Sequence, residues 1–247
     1  MSAFETRLRT GIENAVRAYW RTRSKQDAKQ GKATGSRDAG NRAAVTAGKQ
    51  LDGFIQVVRS LVVECGVLDA DVYTVNARLP GFYRPAKDWD LLVLVDKTLL
   101  ATIEVKSHAG PSFGNNFNNR IEEALGNATD FWAAYQQGAF KPSTRPFLGY
   151  LMLLEEAEGS TAPVKERRQP QFRIFPEFAN TSYADRYRLF CRKVLRDRLY
   201  DAACLLLSSK TSGKKGLYKE PDPELSFQNF ALGLMARATA YVKQRDS

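Results

Sequence analysis

Two apolar runs, residues 89–95 (WDLLVLV) and 99–107 (LLATIEVKS), stand on either side of Asp96, Lys97 and Thr98 and read as two strands of a hairpin. The second run carries a glutamate and a lysine, Glu104 and Lys106, inside an otherwise apolar strand. Residues two apart on a strand point the same way, so this charged pair shares one face and Ile103 and Val105 take the other. A three-residue turn, with Val95 paired to Leu99, places Asp90 opposite Glu104 and brings both carboxylates to one face. A two-residue turn shifts the register by one and separates them.

The rest of the chain arranges itself around this hairpin. Phe4, Leu8, Ile12, Ala15, Val16 and Tyr19 recur at helical spacing behind a Ser2–Glu5 capping box, predicting an N-terminal amphipathic helix. Residues 24–48, rich in Gly, Ala and Lys with little periodicity, read as a flexible or DNA-ordered arm. A helical stripe from Leu51 to Cys65 ends at Gly66, and 72–79 reads as a strand broken by Pro80 and Gly81. After the hairpin, Ile121, Ala124, Leu125, Ala128, Trp132 and Tyr135 trace a helix starting at Asn118 or Asn119, and 147–154 is a buried-looking strand. The succession α-β-β-β-α-β requires a mixed sheet, because the last strand follows a helical crossover. A basic helix (182–200), an apolar strand (202–207), a Lys/Gly loop (208–220) and a final helix (224–243) complete the chain. No repeat or composition shift divides it, so 1–247 reads as one domain: an N-terminal helix and arm (1–50), a core (51–155) and a basic helix, strand and terminal helix (156–247).

Composition narrows the class. At 43% hydrophobic and 26% charged residues, the chain has material for one sizeable core or at most two, which excludes disordered and collagen-like chains. Its longest apolar run, eight residues, is far below the roughly 18–20 that span a bilayer, and the N-terminus has no secretory h-region. The expected location is the cytoplasm, with no membrane partner. Three cysteines without a CxxC pair argue against disulfides and a thiolate zinc site, and the single histidine, His108, disfavours histidine-based metal chemistry. The net charge of +10 attracts polyanions, and its concentration in 17–49 and 186–198 makes nucleic acid the leading partner.

Paired carboxylates repel unless a cation intervenes. An all-oxygen donor set of Asp90, Glu104 and the Val105 carbonyl favours a hard ion, Mg²⁺ with Mn²⁺ as a substitute, over zinc. Such an ion suits phosphodiester hydrolysis, with Lys106 orienting the attacking water or supporting transition-state charge. The competing reading of Asp90, Glu104 and Lys106 is a structural ion-pair network without a reaction.

Asp90, thirteen residues, then Glu104-Val105-Lys106 resembles the PD-(D/E)xK nuclease superfamily, although Trp89 stands where a proline often precedes the acid. More specifically, LPGFYRPAKDWDLLV (79–93), IEVKSHAGPSFGNNFNNRIEEALG (103–126) and GNRAAVTAGKQLDGF (40–54) resemble the XhoI family of type II restriction endonucleases, over most of the chain. That resemblance implies a restriction-endonuclease-like α/β core with a mixed central sheet flanked by helices. It also implies a Mg²⁺-dependent homodimer cutting both strands of a palindromic hexamer, 5′-CTCGAG-3′, to leave 5′ overhangs, alongside a protective DNA methyltransferase.

Asn115, Asn116, Asn118, Asn119 and Arg120, in a loop (110–120) that follows the acid strand directly, are placed either to read base edges and hold phosphate or to build turns and cap the next helix. Arg42, Lys49, Arg186, Arg192, Lys193, Lys210, Lys214 and Lys215 are candidate phosphate contacts. His108 is assigned a structural or phosphate-contact role, and Trp20, Trp89 and Trp132 a packing role. Two other functions compete: a structure-specific repair nuclease on the same core, and a non-catalytic DNA-binding protein.

Overall fold

A computed structural model describes residues 2–30, 39–110, 112–165 and 171–245, giving only backbone for 26–30 and 39–48. Its elements are α1 (Ala3–Gln30), α2 (Ala39–Glu64), β1 (Val72–Tyr73), β2 (Arg78–Pro80), β3 (Ala86–Asp88), β4 (Leu91–Val95), β5 (Thr98–His108), α3 (Phe113–Gln136), β6 (Phe147–Glu155), α4 (Glu158–Thr161), α5 (Tyr183–Arg196), β7 (Ala202–Ser208), α6 (Lys210–Gly213) and α7 (Phe227–Arg245). Five strands form one sheet in the order β1-β4-β5-β6-β7, and β2 and β3 form a separate hairpin. β1, β4 and β5 run antiparallel, whereas β5, β6 and β7 run parallel, so the sheet is mixed as expected.

The unbroken apolar run of β6 has a clear cause. Parallel strands in the middle of a sheet are covered on both faces and have no solvent side to make polar. Leu151 and Leu153 join one buried cluster with residues of α1, α2 and α7. Tyr150, Met152 and Leu154 join the other with α3 and α5.

Several boundaries differ from the sequence reading. The strand expected over 72–79 is two: Asn76 takes a left-handed φ of 56°, after which β2 leaves the main sheet and pairs with β3. The expected arm 24–48 contributes its first seven residues to α1 and 39–48 to α2, consistent with the helix-favouring Ala, Lys, Arg and Gln in those segments. The middle of the arm, 31–38, lies outside the described residues. α3 begins at Phe113 rather than at Asn118 or Asn119. Phe113, Phe117 and Ile121, spaced by four, extend its apolar stripe backwards and pack with Tyr183, Tyr187 and neighbouring side chains. The loop expected over 208–220 contains the short helix α6, and the final helix starts at Phe227.

Candidate active site

The hairpin reaches the expected arrangement by an unexpected route. Asp96 and Lys97 both have positive φ, 48° and 65°, which is the geometry of a two-residue primed turn that matches the twist of its strands. Val95 therefore pairs with Thr98 and Leu94 with Leu99, not Val95 with Leu99. A β-bulge then leaves Leu100 without a partner, and pairing resumes with Val93↔Ala101, Leu92↔Thr102 and Leu91↔Ile103. Leu100 and Ala101 consequently join the same apolar cluster, whereas residues beyond alternate normally. The turn is one residue shorter than expected and the bulge one residue longer; the two offsets cancel. Extending the restored register one step sets Asp90 opposite Glu104.

Asp90 Oδ2 accepts the Val105 amide at 2.8 Å, taking the hydrogen bond that a longer β4 would have supplied. An amide and carbonyl of one strand residue point to the same edge, so the Val105 carbonyl faces the Asp90 side as well. Glu104 is fully buried and its carboxylate is crowded with donors. Lys106 Nζ lies 3.0 Å and Lys87 Nζ 3.2 Å from Oε1. Asn127 Nδ2, on α3, donates to Oε1 at 2.8 Å and Oε2 at 3.0 Å, and the Tyr200 hydroxyl lies 3.4 Å from Oε2.

The electrostatics separate the two acids. Burial pushes the Glu104 carboxyl up, but Lys106, Lys87 and Asn127 together outweigh it and hold the group below the ordinary range. Burial also dominates Asp90, and there Lys106 and the Val105 amide do not compensate, so its pKa is raised. Burial would discharge Lys106, yet Glu104 and Asp90 raise its pKa and keep it an ammonium. The site is thus a charged glutamate neutralised by two lysines beside an aspartate short of positive charge. Among the described residues no three His, Cys, Asp or Glu side chains cluster; the oxygens that Asp90, Glu104 and Val105 offer here are those of two carboxylates and one backbone carbonyl. That donor set, with an under-compensated carboxylate, fits a hard divalent cation.

Lys87 and Asn127 were not singled out in the sequence. Lys87 sits on β3, its ammonium 4.3 Å from the Trp89 ring centroid, and it reaches Glu104 only because the β2–β3 hairpin folds back over β5. Asn127 carried a local signal: an amide in the buried stripe between Ala124 and Ala128.

The remaining candidates are distributed. Asn115, Asn116, Asn118, Asn119 and Arg120 lie in the first turns of α3, not in a loop, and Arg120 pairs with Glu123. Arg42 and Lys49 are on α2, where the Arg42 side chain lies outside the described residues and Lys49 is exposed. Arg192 pairs with the buried Asp222 at 2.6 Å, Lys193 pairs with Glu177, and Arg186 donates to Thr181. Lys210, Lys214 and Lys215 are exposed on and just after α6. His108 is buried between Phe113 and Tyr187, its Nδ1 2.8 Å from the Tyr187 hydroxyl, and burial lowers its pKa to about 4. It is a neutral packing residue. Trp20, Trp89 and Trp132 are likewise buried.

A mixed five-stranded sheet covered by helices, with a buried acid–lysine group gathered beyond the end of β4, is consistent with the core of a restriction-endonuclease-like protein. Comparison with known proteins gives the family. The profile described as "Restriction endonuclease XhoI" matches residues 29–220. The type II restriction enzyme BstVI of Geobacillus stearothermophilus is 50% identical over 210 residues, covering 83% of this chain and 93% of that protein. The type II restriction enzyme XhoI of Xanthomonas vasicola is 45% identical over 159 residues, 63% of this chain and 64% of that one. AbrI of Azospirillum brasilense, also a type II restriction enzyme, is 47% identical over 148 residues, 59% and 66% of the two chains. No solved structure matches. The chain belongs to the XhoI restriction endonuclease family and is a type II site-specific deoxyribonuclease. Its substrate is accordingly double-stranded DNA, and no described helix is long and apolar enough to cross a membrane.

Proposed function

We propose that the chain is a PD-(D/E)xK endonuclease that depends on Mg²⁺, with Mn²⁺ as a substitute, and cuts both strands of the palindrome 5′-CTCGAG-3′, the site that the family resemblance implies. The observation that carries the catalytic assignment is the convergence of Asp90, Glu104 and the Val105 backbone beyond the end of β4, with Lys106 bonded to Glu104. Asp90, Glu104 and the Val105 carbonyl would hold the ion, which would supply Lewis-acid polarisation of a phosphoryl oxygen and a more acidic water there. The protein supplies position. The Val105 amide fixes the Asp90 carboxylate, Asn127 fixes Glu104, and the Lys106 ammonium orients the attacking water and stabilises charge developing on the phosphate.

The whole chain acts as one endonuclease unit, and two copies form a twofold homodimer, because a palindrome presents two equivalent scissile bonds. Exposed Asn115, Asn118 and Asn119, with Arg120, follow the acid strand and face the DNA, while Lys49, Lys210, Lys214 and Lys215 contribute phosphate contacts. Arg42, Asn116, Arg186, Arg192 and Lys193 belong to the same set, the last two only by exchanging carboxylate partners for phosphate. The enzyme works in the cytoplasm beside a DNA methyltransferase that protects host sites.

Incubating the purified protein with plasmid DNA and Mg²⁺ tests the reading. Discrete fragments mapping to CTCGAG are expected, with none in EDTA. Asp90→Ala, Glu104→Ala and Lys106→Ala should each lose cleavage and keep DNA binding. Cutting by Asp90→Ala or Glu104→Ala at the wild-type rate overturns the assigned chemistry.

A further inference from the structure

The tip of the β2–β3 hairpin exposes two aromatic rings side by side. Phe82 is 51% and Tyr83 72% exposed, and their rings meet edge to face with centroids 4.8 Å apart. Neither ring is held by packing into the core. The backbone beneath them is held instead, by a carboxylate with 5% exposure: Asp130 Oδ1 accepts the Phe82 amide at 2.8 Å and the Tyr83 amide at 2.7 Å. Gly81 permits this approach, since a Cβ there would stand 2.5 Å from Asp130 Oδ2 and 2.8 Å from the Arg84 carbonyl oxygen.

The clamp continues into the catalytic group. Arg84 Nε donates to Asp130 Oδ2 at 2.8 Å and Arg84 Nη2 to Asn127 Oδ1 at 2.7 Å, and Asn127 Nδ2 donates to Glu104. The same hairpin sends Lys87 to Glu104, where its ammonium meets the Oε1 that Asn127 also holds. Three side chains, Asp130, Arg84 and Asn127, link the backbone of the tip to the catalytic acid.

Exposed apolar groups held rigid at a functional site mark a contact surface, because pre-organisation removes the cost of ordering them on binding. Resting on the endonuclease reading above, we propose that the Phe82–Tyr83 tip is a DNA contact, its rings packing on sugars and apolar base edges in a groove of the duplex beside the scissile phosphate. A duplex whose phosphate reaches Asp90 and Glu104 is brought against the tip by the Asp130–Arg84–Asn127 chain. Uncharged rings contact apolar sugar and base-edge surface, not phosphates, so their contribution is insensitive to salt.

The test compares wild type with the double variant F82A/Y83A on a fluorescein-labelled duplex centred on 5′-CTCGAG-3′, with Ca²⁺ replacing Mg²⁺, by anisotropy across a salt series. Both rings face solvent, so the variant should melt at the wild-type temperature and sediment as the wild type does. The expected result is binding weaker by about tenfold or more with an unchanged slope of log affinity against log salt. Unchanged affinity overturns the proposal. So does a loss that comes with a shallower salt slope, which assigns the tip to phosphate, or with dissociation into monomers, which assigns it to a protein interface. Wild-type protein that neither prefers this duplex over a scrambled one nor cuts plasmid DNA removes the endonuclease reading itself, and the tip proposal with it, without reference to the variant.

Discussion

The two faces of the central sheet are built on opposite principles. The face under α1, α2 and α7 is filled by residues such as Val93, Val105, Leu151 and Leu206, and its buried polar side chains, Gln50 and the Ser208 that accepts from Trp20, are uncharged. The face under α3 and α5 buries the charges Glu104, Asp130 and Asp222 together with Asn127, Thr102 and His108. On the first face each side chain stabilises by leaving water, largely independently of its neighbours. On the second, each buried charge is tolerable only while its partners are present, since an unmatched charge costs far more than a matched one gains. Independent burial and mutually dependent charge are thereby assigned to different sides of one set of strands.

Substitutions on the two faces should therefore fail in different ways. The largest effect expected is on turnover: Glu104→Gln, which keeps shape but not charge, should lower cleavage by roughly a thousandfold or more in a single-turnover assay while the duplex is still bound. Next comes Leu151→Ala on the apolar face, which should cost about 3 kcal/mol in urea unfolding and leave the rate per folded molecule unchanged. Asn127→Ala, which strands Arg84 and one side of Glu104, should cost about 1–2 kcal/mol and also slow cleavage, where a purely structural role would leave the rate intact.

The smallest effect has the opposite sign. Asp90 has its pKa raised by burial, so the folded protein holds this proton more tightly than the unfolded chain and loses stability as pH rises through the folded value. Asp90→Asn, which cannot ionise, should melt above the wild type at pH 7. The gap should close below about pH 4, where the unfolded aspartate is protonated too. Glu104 runs the other way: its depressed pKa gives stability that is present at neutral pH and disappears as pH falls through the folded value. An inactive Asp90→Asn that is also less stable at pH 7 would contradict the charge balance described for the site.

The apolar face was readable because its signals are local. Periods of two and of three to four residues in β5, β6 and α2 report burial directly. The acid–lysine trio was readable for the same reason, being charge inside an apolar strand. Lys87 escaped because nothing within β3 announces that the hairpin folds back onto Glu104; that contact joins positions seventeen residues apart through a second sheet. The asparagine segment was misread as a loop because its polar residues drew attention from Phe113 and Phe117, whose spacing extends α3. The register of the hairpin came out right for Asp90 and Glu104 although its turn did not, because neither the primed turn nor the compensating bulge leaves a distinct mark in the triplet Asp96-Lys97-Thr98.

The unpaired Leu100 acts on its strand as a phase shift acts on a wave. Everything from Ala101 to His108 inherits its facing from that one supernumerary residue. Replacing Leu100 with another aliphatic side chain leaves the phase untouched; deleting any residue between the turn and Ala101 inverts it, driving Glu104 and Lys106 into the layer under α1, α2 and α7 and turning Ile103 and Val105 toward α3 and α5. In this hairpin the count of residues is under stricter constraint than their chemistry.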